Sequence, residues 1–166
     1  IGEIWAATLW DMTWEIINND GVINTNLFNA TTPGGNTVAL KLVMQGLKLQ
    51  TCNPGFLDAR DAILKADTLL YDGKYSCSIW TAFAGRGMGF KAIQGSSGSY
   101  IDQVEDFSMP HAVINRMTSQ TVSVGSTVEY ALNVNNYSCA NFIGDIRETL
   151  PEGLEYVSGA SYNPAT

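Results

Sequence analysis

The apolar side chains of this chain repeat every third or fourth residue up to residue 92, and every second residue beyond Pro110. This change of interval constrains the fold most, because the first spacing buries one face of an α-helix and the second buries one face of a β-strand. The two spacings occupy separate blocks, so the chain reads as multidomain, α then β. Charge divides the same way: residues 1–92 carry 8 acidic and 7 basic side chains, whereas 93–166 carry 8 acidic ones and only Arg116 and Arg147. With 166 residues and 45% hydrophobic content, there is enough apolar material for one medium domain or two small ones.

In the helical block, Ile1, Ile4, Trp5, Leu9, Met12 and Ile16 predict a first helix over residues 1–17, stopped by Asn18, Asn19, Asp20 and Gly21. No Ser, Thr, Asp or Asn cap precedes it, which reads as a helix cut from a longer chain. Asn36 is the expected cap of a second helix, in which Leu40, Val43, Met44 and Leu47 form one stripe. Asn53 and Pro54 are the expected cap and first residue of a third, which runs to Leu70 with Phe56, Ile63, Ala66 and Leu70 inward. A fourth, from Ser76 to Arg86, buries Ile79, Trp80 and Phe83 and stops on Gly85 and Gly87. The small polar run QGSSGS then predicts a linker over residues 93–109.

Over residues 110–166, Val122 and Val124, then Val128, Tyr130, Leu132 and Val134, alternate with polar residues as half-buried strands do. Gly125 and Ser126 mark one turn, and Pro151, Glu152 and Gly153 mark another before Leu154, Tyr156 and Val157. A partial β-sandwich is the expected arrangement.

The composition narrows the function classes. Net charge is −7 and the basic residues are scattered, so no positive stripe follows a phosphate backbone and nucleic acid is not an expected partner. No apolar stretch approaches the ~20 residues of a membrane span. Cys52 and Cys77 flank the third helix; oxidised, they would close a loop of about 25 residues and stabilise by roughly 3 kcal/mol, and two free buried thiols are the alternative. Cys139 is left over and reads as a small buried hydrophobe. Without CxxC spacing, and with His111 the single histidine, a zinc site within this chain is not expected. His111 reads as a surface residue at the linker's edge, and no GxSxG elbow accompanies it.

Gly85, Gly87 and Gly89 share the spacing of a dinucleotide loop but end a helix instead of opening one. Asn18, Asp20, Asn24 and Asn26 offer oxygen atoms for calcium, although the spacing is not that of an EF-hand and an Asx-rich turn explains the same residues. Asp58, Arg60, Asp61 and Asp67 read as a solvated face of the third helix, with Asp58 favourably placed near its start. Glu3 and Asp11 are acids within a Trp-rich helix, paired outside the chain or simply solvated. Asn29–Ala30–Thr31 and Asn136–Tyr137–Ser138 match the N-glycosylation triplet, relevant only in a eukaryotic secretory pathway.

Taken together, IGEIWAATLWDMTW and ALKLVMQGLKLQTCNPGFLDARDAILKADTLLYDGKYSCSIWTAFAGRGMG resemble the C-terminal helical part of fungalysin-type (M36-like, thermolysin-related) zinc metallopeptidases, over residues 1–92. The resemblance implies an all-helical C-terminal lobe. In that family an HExxH helix and a following Glu hold zinc, and metal-bound water attacks the peptide carbonyl. Those residues lie upstream, with an oxyanion-stabilising histidine falling just before Ile1, so no catalytic, cofactor-binding or metal-binding residue is carried onto this chain. The family also has cysteines at the positions of Cys52 and Cys77, which implies a structural disulfide between them in a secreted protein.

The segments VGSTVEYALNVNN and RETLPEGLEYVSGAS resemble a DUF11-type bacterial extracellular repeat over residues 110–160, which implies the start of an Ig-like β-sandwich on an exported bacterial protein or at its cell surface. The expected function is therefore a fragment of a secreted zinc metalloendopeptidase. Its implied partners are the HExxH-bearing part of the same peptidase and protein or peptide substrates. Zinc is the implied cofactor of the intact enzyme, with calcium a weaker candidate. A non-enzymatic extracellular surface or adhesion module is the alternative.

Overall fold

A computed structural model describes residues 2–29, 31–96, 98–99, 101–117, 123–129, 131–136, 138–140, 146, 150, 152–155 and 157. The chain divides into two compact units, Ile1–His111 and Ala112–Thr166.

The first unit contains helices α1 (Gly2–Asp20), α2 (Gly35–Leu49), α3 (Phe56–Tyr71) and α4 (Ser76–Gly85). Helix α1 packs on α2 and α4, and α3 packs on α2 and α4. Their inward faces meet in one core of Met12, Ile16, Ala39, Leu42, Ile63, Ala66, Ile79, Ala82 and Phe83, joined by Tyr75 and Met88. Trp5 closes one end, stacked 5.6 Å from Phe56 and edge-on to Phe83. Helices α2 and α3 approach closely at Gly46, where a Cβ would stand 3.0 Å from Ile63 Cγ1.

The helix ends differ from expectation for local reasons. Asn18, Asn19 and Asp20 remain helical, and Gly21 ends α1 at φ 68°, a left-handed conformation that suits glycine. Asn36 lies inside α2 and does not cap it. Its side chain instead accepts from the Asn24 amide at 2.9 Å and donates to the Asn24 carbonyl at 2.8 Å, fixing the α1–α2 loop. Asn53 turns at φ 54°, and α3 begins at Phe56, after the Gly55 cap, instead of at Pro54. The Gly55 amide donates to Asp58 Oδ2 at 3.0 Å, which satisfies the start of α3 from within the helix.

Residues 93–109, expected as a linker, belong to this unit. Ile93 and Val104 exchange backbone hydrogen bonds at 2.9 Å, and Asp106 pairs with Gly87 and Gly89. Gln94 Oε1 accepts from the amides of Leu57 and Asp58 at 2.9 and 3.1 Å, so this segment supplies the side-chain cap of α3. Its ordering is polar and leaves no hydrophobic period to read.

In the second unit, β1 (Ala112–Met117) pairs antiparallel with β2 (Ala131–Asn136), with Ile114 opposite Val134. Leu132 and Val134 alternate inward as expected, but β2 starts later than Val128. Val124 is fully exposed at a turn closed by the Ser126 amide on the Ser123 carbonyl, with Gly125 at φ +85°. A turn that reverses the chain in this way leaves no register for Val124 in a strand. Val122, Tyr130 and Tyr156 lie outside the described residues. One two-stranded sheet is what the described residues of this unit form, without the second layer of a sandwich.

Candidate functional site

An open groove of about 400 Å³ is lined by the α1–α2 loop, α2 and the α3–α4 turn. At its floor Lys74 Nζ donates to Asp20 Oδ1 at 2.9 Å and to Tyr75 Oη at 3.0 Å, while Tyr75 Oη donates to Asp20 Oδ2 at 2.8 Å. Burial pushes the Asp20 carboxyl up, but hydrogen bonds from Lys74 and Tyr75 outweigh it, and the net shift is downward. Burial raises the Tyr75 phenol, and hydrogen bonding to Tyr75 and Asp20 raises the Lys74 ammonium. Each group is thus held in its ordinary neutral-pH state and already has its partners. The trio ties the end of α1 to the α3–α4 turn and presents no poised base.

Asp67 and Arg60 were expected on a solvated face of α3, and both are buried. The Asp67 carboxylate accepts the Tyr75 amide at 3.1 Å and stands at the start of α4, where it meets the helix dipole. Burial raises its pKa, against the lowering effect of the amides of Tyr75 and Ser76. Arg60 donates to the carbonyls of Met88 and Gly89 at 2.9 and 2.7 Å, pairs with Asp61 and lies 4.5 Å from the Trp80 ring centroid. The reading as a solvated face fails because the guanidinium serves two carbonyls beyond the end of α4 while covering an indole. The extreme order of charges in ARD gives no sign of which residue turns inward. Asp11 pairs with Arg86 at 2.7 Å within the unit, while Glu3 is exposed.

The remaining candidates fall apart from one another. His111 is exposed and meets Phe90 edge-on at 5.2 Å. Asn24 is buried and spends its side chain on Asn29 O, Thr37 Oγ1 and the Asn26 amide, while Asn26 Oδ1 accepts from the Phe28 amide; these are Asx turns, not convergent calcium ligands. Gly85 closes α4 and Gly87 takes φ 80° in the loop beyond it. Cys52 is free and exposed, whereas Cys77, half-buried in the first turn of α4, is disulfide-bonded. The Cys52–Cys77 bridge implied by the resemblance is therefore not formed in this structure, in which Cys77 is bonded while Cys52 stays free. Cys139, expected to be buried, is exposed and disulfide-bonded. Among the described residues no three His, Cys, Asp or Glu side chains converge on a metal position. The described donor set thus does not fit zinc.

Sequence comparison supplies what the groove does not. The model of the fungalysin metallopeptidase (M36) family matches residues 1–92. The chain belongs to the fungalysin family. Among its relatives, the extracellular metalloproteinase mep of Aspergillus fumigatus is 47% identical over 99 residues, 58% of this chain and 16% of that protein. An extracellular metalloproteinase of Pyrenophora tritici-repentis is 38% identical over 122 residues, 71% of this chain and 18% of that protein. Extracellular metalloproteinase 3 of Trichophyton tonsurans is 45% identical over 95 residues, 55% of this chain and 15% of that protein. The fungalysin chain thus spans less than a fifth of the length of these curated relatives. Its matched region coincides with α1–α4, and the Asp20–Lys74–Tyr75, Asp67 and Arg60 contacts hold those helices in register.

Proposed function

We propose that residues 1–92 are the C-terminal helical lobe of a secreted zinc metalloendopeptidase, whose zinc ligands, general base and substrate subsites lie in other parts of the same polypeptide. The observation that carries this reading is the fungalysin match over the four helices, supported by relatives that are themselves named extracellular metalloproteinases. Zinc would supply a polarised water for attack on a peptide carbonyl. This chain's own residues would fix the lobe as a rigid wall beside that site: Arg60 locks the loop after α4, Asp67 anchors the start of α4, and Gln94 caps α3. Such rigidity matters because catalytic geometry tolerates little displacement.

We further propose that residues 110–166 begin a β-sandwich repeat of the bacterial DUF11 type, a reading supported by the antiparallel β1–β2 pair and the motifs quoted for it. Casein hydrolysis by the longer polypeptide that contains this chain tests the main proposal. Cleavage that stops on chelation and returns with zinc is the expected result; a longer polypeptide with no HExxH helix and no peptidase activity overturns it in favour of a surface module.

A further inference from the structure

Two hollows of the helical unit run into one another along α2. The groove of about 400 Å³ has Lys41 and Tyr71 in its wall, and the same two side chains line a second hollow of about 450 Å³ beside Met44, Lys48 and Leu70. Helix α2 thus forms one side of a joined trough and the end of α3 the other. Its lining is in part apolar, through Val22 and Val38 at one end and Met44 and Leu70 at the other. Its charge is one-sided. Among the described residues Asp20 is the one carboxylate that lines either hollow, and Lys74 already answers it at 2.9 Å. Lys41 and Lys48 are exposed and, among the described residues, form no ion pair, whereas Arg60, Lys74 and Arg86 each have a carboxylate partner. Lys48 meets the negative end of α2, which accounts for a cation at that position. Lys41 stands about two turns earlier, beyond the reach of that dipole, on the same side of the helix.

We infer that this trough seats an acidic, extended peptide segment of a partner protein, with its apolar side chains on the lining and its carboxylates on Lys41 and Lys48. Charge complementarity selects the occupant. The chain carries −7 overall, yet here two positive charges stand without partners beside apolar surface. An extended segment fits that combination, because successive side chains point to opposite faces, one down onto the lining and the other up toward the flexible lysine stems. A nucleic acid or a sulfated polysaccharide would use the lysines and leave Met44 and Leu70 uncovered. A purely apolar partner would instead bring the two ammonium groups to its rim with nothing to meet them. The inference goes beyond the metallopeptidase reading and is independent of it, since every group it uses belongs to the helical unit of this chain.

Fluorescence polarisation of a short dye-labelled peptide in which glutamate alternates with leucine, titrated with the 166-residue chain, tests the inference. Saturable binding that weakens as salt is raised is the expected result. The double variant Lys41→Glu, Lys48→Glu should bind about tenfold more weakly, because two attractions between partly exposed charges become repulsions. The same peptide with glutamine in place of glutamate should lose a similar factor. Both lysines are exposed, so the variant keeps the fold, and a peptide of alternating lysine and leucine should bind it better than it binds the parent. That reciprocal gain is a result that a damaged fold would not give. Absence of saturable binding overturns the inference, as does binding that is equal for the glutamate and glutamine peptides or indifferent to the double substitution. Heparin is the third probe: if it binds through Lys41 and Lys48 while the acidic peptide does not, the trough takes a polyanion of another class and the peptide assignment falls.

Discussion

Replacing Arg60 with alanine removes a side chain that joins α3 to the loop beyond α4. Arg60 is 6% exposed, and its guanidinium donates to two carbonyls at 2.9 and 2.7 Å and covers the Trp80 ring at 4.5 Å. Hydrogen bonds made by a charged group contribute about 1.5–3 kcal/mol each, and a partly desolvated cation–π contact adds about 1 kcal/mol. The pair with Asp61, whose side chain is 60% exposed, adds little. These contributions share one side chain and do not sum freely, so the expected cost of Arg60→Ala is about 3 kcal/mol. For a unit of this size that lowers the melting temperature by about 10–15 °C, measurable by far-ultraviolet circular dichroism. Arg60→Lys keeps the charge but loses the planar group whose Nη1 serves both carbonyls while Nε and Nη2 face Asp61 and the plane covers Trp80, and should fall between the two. An Arg60→Ala variant within about 0.5 kcal/mol of the parent, the range of an ordinary surface substitution, would refute the buried clamp.

Three further outcomes follow from the same contacts. Gly46→Val should cost about 1–3 kcal/mol in denaturant unfolding by forcing α2 away from Ile63, and a neutral effect would contradict the close approach. Gln94→Ala should cost about 1 kcal/mol by releasing the amides of Leu57 and Asp58, and faster hydrogen exchange at those two amides is the direct check. Asp67 titrates above its ordinary value of 3.8 because of burial, so the native state holds that proton more tightly than the unfolded chain. Its contribution is then fully present below pH 3.8 and is lost as pH rises through the folded-state pKa. Asp67→Asn should remove that loss, so urea midpoints of variant and parent should diverge in the variant's favour as pH rises from 3.8 to neutrality; a difference constant with pH would contradict the burial.

The four helices were legible because their apolar residues recur at a helical interval, and Met12, Ile63, Ala66, Ile79 and Phe83 all reached the core. The polar fastenings were not. Arg60 and Asp67 turn inward only because of carbonyls and amides more distant in sequence, at Met88, Gly89 and Tyr75, and no local pattern records those partners. Gln94 sat in a segment whose composition reads as a linker, yet one side-chain amide there caps a helix that begins 38 positions earlier, at Phe56. The period of two in TVEYALNVNN located β2 but not its partner, since Ala112–Met117 lacks a clean alternation. The stripe of Ile1, Ile4, Trp5, Leu9, Met12 and Ile16 left out Trp10 and Trp14, and the structure exposes both of them, at 63% and 42%, on the side of α1 away from the core.

Where the metal is held decides whether residues 1–92 support the chemistry or perform it. Elemental analysis of the purified longer polypeptide, beside the 166-residue chain prepared in the same buffer, is the most direct measurement of that. The account predicts stoichiometric zinc in the longer polypeptide and none retained by the 166-residue chain; zinc retained by the short chain, or absent from the long one, would contradict it.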